Sequence, residues 1–309
     1  MTGAIVVGAG GQDGRLLHER LLRECINVTR LGRGDLANDD GVAVADLVRK
    51  GPSEIYYLAA HHHSSQEAMG SCELDLVRQS TDAHVTGLAC FLEAIRRHSP
   101  GTRLFYAGSS LVFGEPGTDT QDEMTPFEPR CIYGITKAAG LRLCRYYREK
   151  HGVFAAGGIL FNHESPLRQT KFVIPKIIHA ALAIARGSAE KLRLGDLSAR
   201  VDWGYAPDYV EAMTRILRLR EPGNFVVATG ETHSVQEVVE RVFGSLGLDW
   251  RQHVEEAQEI LTRRRTPLCG NSSKLRAATG WQPTVSFHDM LQILLEAQET
   301  ALATEACHA

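Results

Sequence analysis

The chain opens with the stretch GAIVVGAGGQDG, which runs from Gly3 to Gly14 and decides the fold. Residues 3–7 form a short apolar strand, and the leucines at 16, 17, 21 and 22 recur with helical spacing. Glycines between a strand and a helix let the backbone approach a pyrophosphate, which then rests on the helix N-terminus. The pattern Gly-x-x-Gly-x-x-Gly is weak by itself, and a structural turn is the alternative. At the first strand–helix junction it predicts a dinucleotide site formed by Gly8, Gly11, Gln12, Asp13 and Gly14.

The second predicted strand, residues 26–29, bears on the choice of dinucleotide. An acidic residue at the end of this strand usually holds the free ribose 2′-hydroxyl of NAD. Here Arg30 stands at that place with Arg33 close by, and an arginine suits a 2′-phosphate. We therefore expect NADP(H) rather than NAD(H), with two solvated arginines on a loop as the alternative. Asp35 is placed to accept a hydrogen bond from the adenine amino group.

The third predicted strand, residues 54–60, ends in the small residues Ala59 and Ala60 after Leu58. Small side chains there allow a flat ring or a ribose to lie against the backbone, so we expect these three residues to contact the cofactor. The consecutive histidines 61–63 follow. They cannot all face one metal from a regular element, and no carboxylate has ligand spacing to them. We expect a loop over the site, with His63 contacting substrate and no metal bound.

A proton-transfer group lies in the middle of the chain. A strand at residues 103–107 delivers Ser109 at its carboxyl end, which is where ligands bind in open α/β sheets. Tyr133 and Lys137 are four residues apart and share one helix face. A phenol titrates near pH 10, and a neighbouring lysine cation lowers that pKa. The three residues can move a proton to or from a sugar-type hydroxyl, although a surface helix carrying both types by chance is the alternative.

The composition excludes several functional classes. The 309 residues are 43% hydrophobic and 23% charged with a net charge of −3, which is ordinary for a globular protein. No long basic tract suggests nucleic acid, and the short run of arginines at 263–265 suits a single anionic ligand. The seven cysteines form no Cys-x-x-Cys pair, so neither a disulfide framework nor a zinc site is indicated. Without a signal peptide or a membrane-spanning apolar run, we expect a cytoplasmic protein with no membrane partner.

Alternating strands and helices with Ser and Tyr-x-x-x-Lys resemble the extended short-chain dehydrogenase/reductase superfamily. Within it, several blocks resemble the GDP-mannose 4,6-dehydratases: GILFNHESP at 158–166, LGDLSARVDWG at 194–204, DYVEAM at 208–213, ATGETHSV at 228–235 and GWQP at 280–283. The resemblance spans almost the whole chain. It implies an α/β fold, with a Rossmann-type doubly wound parallel sheet in a cofactor-binding domain at residues 1–165. A smaller substrate-binding α/β lobe occupies residues 166–309, with some segments returning to the first domain.

The resemblance also implies a GDP-sugar as the substrate. A nucleotide diphosphate is doubly anionic and its base offers hydrogen-bonding edges, so polar and basic side chains suit it. Ordinary surface charges are the alternative for the basic residues. The residues that we expect to contact the substrate are His63, Ser110, Leu111, Asn162, Lys176, Leu194, Arg200 and Arg263.

One departure from the dehydratase pattern concerns the chemistry. The resemblance implies a glutamate three residues before Gly114, thought to take the C5 proton and to assist loss of the 6-hydroxyl. This chain has Leu111 there, which transfers no proton, and the neighbouring Ser110 has no suitable pKa. Losing a positioned acid/base costs about 10²–10⁴-fold in rate. Dehydration would therefore need a substitute, such as Glu164.

Two further departures concern assembly and nucleotide binding. The family carries a longer segment between the second and third strands, with paired arginines that assemble a tetramer across the cofactor. That segment is short here, which favours a homodimer through the helices near 83–98 and 131–150. The family also has an arginine directly before Asp-Trp-Gly. Val201 occupies that place in this chain, and Arg200 next to it partly replaces the arginine.

The sequence therefore favours a reductase of deoxysugar biosynthesis, in which hydride from NADPH adds to the 4-keto group of a GDP-4-keto-6-deoxy-sugar. Tyr133 would donate the proton, Ser109 would hold the oxygen, and Lys137 would tune the tyrosine and hold the ribose. A GDP-sugar 4-dehydrogenase or epimerase uses the same residues. A GDP-mannose 4,6-dehydratase with a substitute base is a further alternative. The last alternative is a regulatory subunit with little turnover. The presence of Ser109, Tyr133 and Lys137 together argues against it.

Overall fold

The computed structural model describes residues 3–32, 34–35, 41–61, 72–257, 259 and 267–308, with side chains described to residue 304. The strands are β1 (Gly3–Val7), β2 (Asn27–Leu31), β3 (Glu54–Tyr57), β4 (Arg103–Ala107), β5 (Ala155–Leu160), β6 (Asn162–Glu164), β7 (Leu192–Leu194), β8 (Arg200–Val201), β9 (Trp203–Tyr205), β10 (Asn224–Val227), β11 (His233–Ser234) and β12 (Val254–Glu256). The helices are α1 (Gln12–Arg23), α2 (Val42–Arg49), α3 (Glu73–Thr81), α4 (Gly87–His98), α5 (Ile132–His151), α6 (Val173–Ala185), α7 (Ala206–Leu217), α8 (Val235–Ser245), α9 (Ser273–Thr279) and α10 (Phe287–His308).

A parallel sheet of six strands forms the centre of the molecule, in the order β10-β5-β4-β3-β1-β2. Strands β3 and β5 are buried along their whole length because helices cover both faces of the sheet, which explains their continuous apolar runs. The chain starts at β1, moves to the edge at β2, and returns to the other side of β1 with β3. Ligands bind outside the carboxyl ends of strands at such a switch point. The predicted fold class is confirmed.

Two hydrophobic clusters divide the buried side chains. The first joins the central sheet to α1, α4, α5 and α7, and includes Tyr209, Phe225 and Trp281. The second joins α6, α8 and α10 around the short strands β7 and β9, and includes Leu194 and Trp203. Segments 206–217 and 224–228 thus pack with the first cluster although they follow residue 165. The domain boundary near residue 165 stays a prediction.

The helical stretch over residues 73–98 has an irregular centre. Residues Glu73–Thr81 and Gly87–His98 are α-helical, and the five residues Asp82–Thr86 between them form a π-helical segment. Leucine and phenylalanine spacing marks the apolar face of α4 but carries no signal for the wider turn. Within the described residues, no helix is long and apolar enough to cross a membrane.

Candidate active site

The glycine turn after β1 packs directly on the loop after β3. Gly8 has a φ of +88°, and a Cβ there would lie 2.7 Å from the Ala59 nitrogen. At Gly14 a Cβ would lie 2.4 Å from the Gly8 carbonyl oxygen. Helix α1 then begins after Gly11 with no side chain capping its N-terminus. Because the first-turn N–H groups of α1 have no side-chain cap, the turn fits the pyrophosphate predicted there.

The residues expected to choose between NAD and NADP lie near this turn. Arg30 is exposed inside β2, and its guanidinium lies 3.5 Å from the Ala9 carbonyl oxygen. The Asp35 carboxylate accepts a hydrogen bond from the Gly32 nitrogen at 2.6 Å. Arg33 lies outside the described residues. Arg30 is therefore beside the glycine turn, while the preference for NADP stays a prediction.

Helix α5 carries Tyr133 and Lys137 to the carboxyl ends of β3 and β4. The Lys137 ammonium donates to the Ala107 carbonyl oxygen at 2.7 Å and lies 3.5 Å from that of Ala59. Its nitrogen is 5.7 Å from the centre of the Tyr133 ring. Ser109 follows β4, and its hydroxyl oxygen accepts from the Leu111 nitrogen at 3.3 Å. That bond uses an acceptor position of Ser109, so its proton is available to a ligand oxygen.

Burial dominates the protonation of this group. Burial raises the pKa of Tyr133, an effect that Arg168 only partly offsets. Burial lowers the pKa of Lys137 to about 7, against a small opposing effect of Asp13. The sequence predicts that the lysine cation lowers the pKa of Tyr133. The pKa of Tyr133 is instead raised and that of Lys137 is lowered, because removing both groups from water disfavours their charged forms. Tyr133 is therefore protonated at neutral pH, which suits a proton donor.

A largely buried ion pair ties the first turn of α1 to β6. The His163 Nε2 lies 3.0 Å from a carboxylate oxygen of Asp13, and its Nδ1 donates to the Phe161 carbonyl oxygen at 2.7 Å. Burial opposes both charges, yet the pair outweighs it: the pKa of Asp13 is lowered and that of His163 is raised. The Gln12 side chain donates to the His163 carbonyl oxygen and accepts from the Ser165 hydroxyl. His163 was not predicted as a site residue, because its only signal in the sequence is its place in the GILFNHESP block at 158–166.

A second pair of opposite charges lies beside the first. Glu164 is 2% exposed, its Oε2 has no hydrogen-bond partner, and the nearest Arg168 nitrogen is 3.5 Å away. Burial raises the pKa of Glu164, although Arg168 opposes the rise. The Arg168 guanidinium stacks over the Phe172 ring at 3.5 Å. Arg168 also lowers the pKa of Tyr133, against the larger effect of burial.

The segment after Ser109 differs in exposure from residue to residue. Ser110–Val112 form a short 3₁₀ turn in which Ser110 is buried and Leu111 is half-buried. Leu111 belongs to neither hydrophobic cluster. Its apolar side chain is thus partly accessible directly after the serine, where the resemblance implies a carboxylate.

The other predicted substrate contacts scatter over the second cluster and its surface. Asn162 is half-buried at the start of β6. Lys176 donates to the Arg193 carbonyl oxygen at 2.9 Å. The side chain of Leu194 is fully buried in the second cluster. Arg200 is exposed and bonds the Thr232 carbonyl oxygen and Glu237. His63 and Arg263 lie outside the described residues.

Comparison with protein families gives one match that covers most of the chain. The family model described as GDP-mannose 4,6 dehydratase matches residues 27–294. A GDP-mannose 4,6 dehydratase 1 of Arabidopsis thaliana is 34% identical over 95% of this chain and 88% of its own length. A human GDP-mannose 4,6 dehydratase is 30% identical over 97% of this chain and 92% of its own length.

Solved structures match the fold along nearly the whole chain. A dTDP-glucose 4,6-dehydratase of Bacillus anthracis in complex with NAD superposes with a TM-score of 0.83 at 20% identity, over 97% of both chains. RMD of Pseudomonas aeruginosa complexed with NADPH has a TM-score of 0.83 at 21% identity, over 97% of this chain and all of that one. At these identities the likeness establishes the fold.

Proposed function

Because the chain belongs to the GDP-mannose 4,6-dehydratase family, we propose that it transfers a hydride between C4 of a GDP-linked sugar and a nicotinamide dinucleotide. The observation that carries this proposal is the grouping of Ser109, Tyr133 and Lys137 at the carboxyl edge of the sheet, next to the glycine turn. When bound, the dinucleotide supplies or accepts the hydride. A binding protein without turnover has no need for a lysine buried at such a cost in solvation.

Each residue of this group has a separate task. The Ser109 hydroxyl donates a hydrogen bond to the sugar oxygen at C4. The Tyr133 hydroxyl gives a proton to that oxygen during reduction and takes it back during oxidation. Lys137 contacts the loop after β3 through Ala59 and the end of β4 through Ala107, and it holds the ribose of the cofactor.

The cofactor is proposed to be NADP(H). Gly8, Gly11 and Gly14 with the first turn of α1 hold the pyrophosphate, and Leu58, Ala59 and Ala60 contact the rest of the dinucleotide. Arg30 beside the glycine turn supports a 2′-phosphate. Since structural neighbours are described in complex with NAD and with NADPH, fluorescence titration with NADPH and NADH tests this preference directly. Stronger binding of NADH would overturn it.

Two net reactions share this hydride transfer. The names of the relatives favour dehydration of GDP-mannose, and none of these names supports the reductase favoured by the sequence. Dehydration requires an acid/base that Leu111 cannot provide. Glu164 is the candidate substitute, because its carboxyl group is buried, has a raised pKa and carries an oxygen without a hydrogen-bond partner.

Reduction of a GDP-4-keto-6-deoxy-sugar is the second candidate. It needs a proton donor at O4 and no acid/base at C5. Tyr133 is protonated at neutral pH because burial raises its pKa. Leu111 offers an apolar, partly accessible side chain that suits a C6 methyl group better than a hydroxyl.

The decisive experiment supplies GDP-mannose with NADP⁺ and follows the loss of one water by mass spectrometry. Product from the wild type that disappears in Glu164→Gln, but not in the exposed control Glu149→Gln, supports the dehydratase. Without product, GDP-4-keto-6-deoxymannose and NADPH are supplied and the loss of NADPH absorbance is recorded. Oxidation of NADPH supports the reductase. If neither mixture turns over, both of these net reactions are wrong.

The proposed assembly is a homodimer through α4 and α5. Ile135 and Tyr146 are each 53% exposed on α5, and a second copy of these helices would cover them. Analytical ultracentrifugation of the wild type and of Tyr146→Glu tests this. A dimer that the substitution leaves intact would exclude this face.

A further inference from the structure

The π-helical segment between α3 and α4 is fixed by two strands of the central sheet. The Tyr57 hydroxyl donates to the Ala83 carbonyl oxygen at 2.8 Å, and the Tyr106 hydroxyl donates to that of His84 at 3.2 Å. Both tyrosines lie near the carboxyl ends of buried strands, β3 and β4. The widened turn is thus fastened to the sheet beside the catalytic group, and π-turns inside helices occur frequently at functional sites.

The His84 side chain is held inside this region in one protonation form. It is fully buried, and its Nε2 accepts a hydrogen bond from the His61 backbone nitrogen at 3.0 Å. Its Nδ1 lies 2.7 Å from the Thr136 hydroxyl oxygen. An amide N–H can only donate, so Nε2 carries no proton and Nδ1 carries one. Nδ1 therefore donates to Thr136, whose own proton bonds the Ile132 carbonyl oxygen at 2.9 Å.

These two bonds join the two parts of the candidate site. His61 lies in the same segment after β3 as Ala59, whose carbonyl oxygen lies 3.5 Å from the Lys137 ammonium. Thr136 lies in the first turns of α5, directly before Lys137. The His84 ring also stands edge-on to the Tyr133 ring, with centres 5.2 Å apart and planes at 86°. One imidazole thus sets both the cofactor-side loop and the helix that carries the tyrosine.

We propose that His84 is a positioning residue that holds the loop 58–61 and the first turns of α5 as one unit. The proposal rests on the proposed roles of Tyr133 and of the loop in hydride transfer. His84 touches no reacting atom, and it acts through His61 and Thr136. Loss of both bonds lets the tyrosine and the cofactor loop move independently, and a misplacement of about 1 Å at a reacting group costs about 10²-fold in rate.

The bonds are separable by substitution. His84→Asn retains a donor near the position of Nδ1 and loses the acceptor for His61. His84→Gln retains an acceptor near the position of Nε2 and loses the donor to Thr136. His84→Ala loses both, and Thr86→Ala is a matched control because Thr86 is exposed on the same π-helical segment. The readouts are the NADPH dissociation constant by fluorescence, kcat on GDP-4-keto-6-deoxymannose or GDP-mannose, and the thermal midpoint.

His84→Ala is expected to lower kcat about 10²-fold and to weaken NADPH binding about fivefold, which is the typical value of one hydrogen bond. His84→Asn should recover kcat more than NADPH affinity, and His84→Gln should recover the affinity more than kcat. If the three variants lose both in parallel with their thermal midpoints, His84 has a structural role only and the proposal is wrong. It is also wrong if His84→Gln and His84→Ala bind NADPH equally. A wild type that binds NADPH but turns over neither sugar contradicts the proposed function, and the affinity pattern then decides on His84.

Discussion

Strand β3 begins in one polar cluster, in which Glu54 and Tyr56 are buried, and ends at another, and the two are built differently. At its amino end, Glu54 bonds Arg218, which also bonds Glu24, and the Tyr56 hydroxyl donates to Glu54. Every charge there faces an opposite charge. At its carboxyl end, the Lys137 cation meets only backbone carbonyl oxygens and aromatic rings within hydrogen-bonding or ring-contact distance, among the described residues.

The pKa directions follow from that difference. Burial lowers the pKa of Arg218, but the bonds to Glu24 and Glu54 outweigh it and raise the value. Nothing comparable compensates Lys137, whose pKa falls to about 7. The opposite charges of the first cluster compensate one another, whereas at the second a lysine is buried with no carboxylate bonded to it among the described residues. Ionisable groups with strongly shifted pKa values of the second kind mark functional sites.

The largest effect is expected from Tyr133→Phe, which removes one oxygen from the carboxyl-end cluster. Turnover should fall about 10³-fold, since a positioned proton donor contributes about 10²–10⁴-fold. NADPH affinity and the thermal midpoint should stay at wild-type values, because the ring remains in place. Steady-state kinetics and fluorescence titration measure these quantities. Activity within tenfold of the wild type would show that another group donates the proton.

Breaking the amino-end cluster should lower stability and leave turnover unchanged, which is the opposite of the effect expected at Tyr133. Arg218→Met leaves Glu54 buried without its cation and is expected to lower the free energy of unfolding by about 1–2 kcal/mol, a value reduced because Arg218 is partly exposed. Turnover per folded molecule should not change. Urea denaturation and kcat test the two halves separately. A loss of kcat without a loss of stability would contradict the division between the clusters.

Lys137→Met should stabilise the protein by about 1 kcal/mol at pH 7 while abolishing activity, since it removes a buried cation. In the unfolded chain a lysine keeps its proton up to about pH 10.4, but the folded protein releases it above about pH 7. The unfolded state therefore binds more protons between these values, and wild-type stability rises with pH. The advantage of the variant should disappear and then reverse between pH 7 and pH 10 in thermal unfolding. A constant advantage would show that Lys137 keeps its ordinary pKa.

The smallest effect is expected at the surface. Arg145 bonds Glu149 at 2.7 Å on the exposed side of α5, and both side chains are largely in water. Arg145→Met should change the free energy of unfolding by less than about 0.5 kcal/mol, and high salt should remove even that difference. The variant is also the matched arginine control for Arg218→Met. A loss as large as at Arg218 would mean that an ion pair alone, without burial, stabilises this fold.

Much of the fold could be predicted because local signals agreed with one another. The strand–glycine–helix start, the strand at 103–107 and the helix with Tyr133 and Lys137 all lie where spacing predicted them. Strand β3 ends at Tyr57, so Leu58–Ala60 form a loop rather than its last residues. Apolar runs do not distinguish a strand end from a buried loop.

The candidate site was less predictable where partners come from distant parts of the chain. Asp13 and His163 are 150 residues apart, and no local pattern connects them. The direction of the Tyr133 pKa also depends on depth of burial, which spacing does not give. His84 was missed because a lone histidine in an apolar helix has the same sequence signature as a core residue.

The widened turn at Asp82–Thr86 also sets the direction, around the helix axis, in which the side chains of α4 point. Each helical residue advances the helix by about 100°, so one additional residue in a turn rotates the following face by that angle. The apolar face of α4 is therefore rotated about the helix axis, relative to where it would lie if α3 continued as a regular helix. Deleting a single residue from this turn would restore a regular helix and the usual hydrogen bonds. The same deletion would turn either His84 or the buried face of α4 away from the sheet, so this irregularity keeps two otherwise incompatible faces aligned.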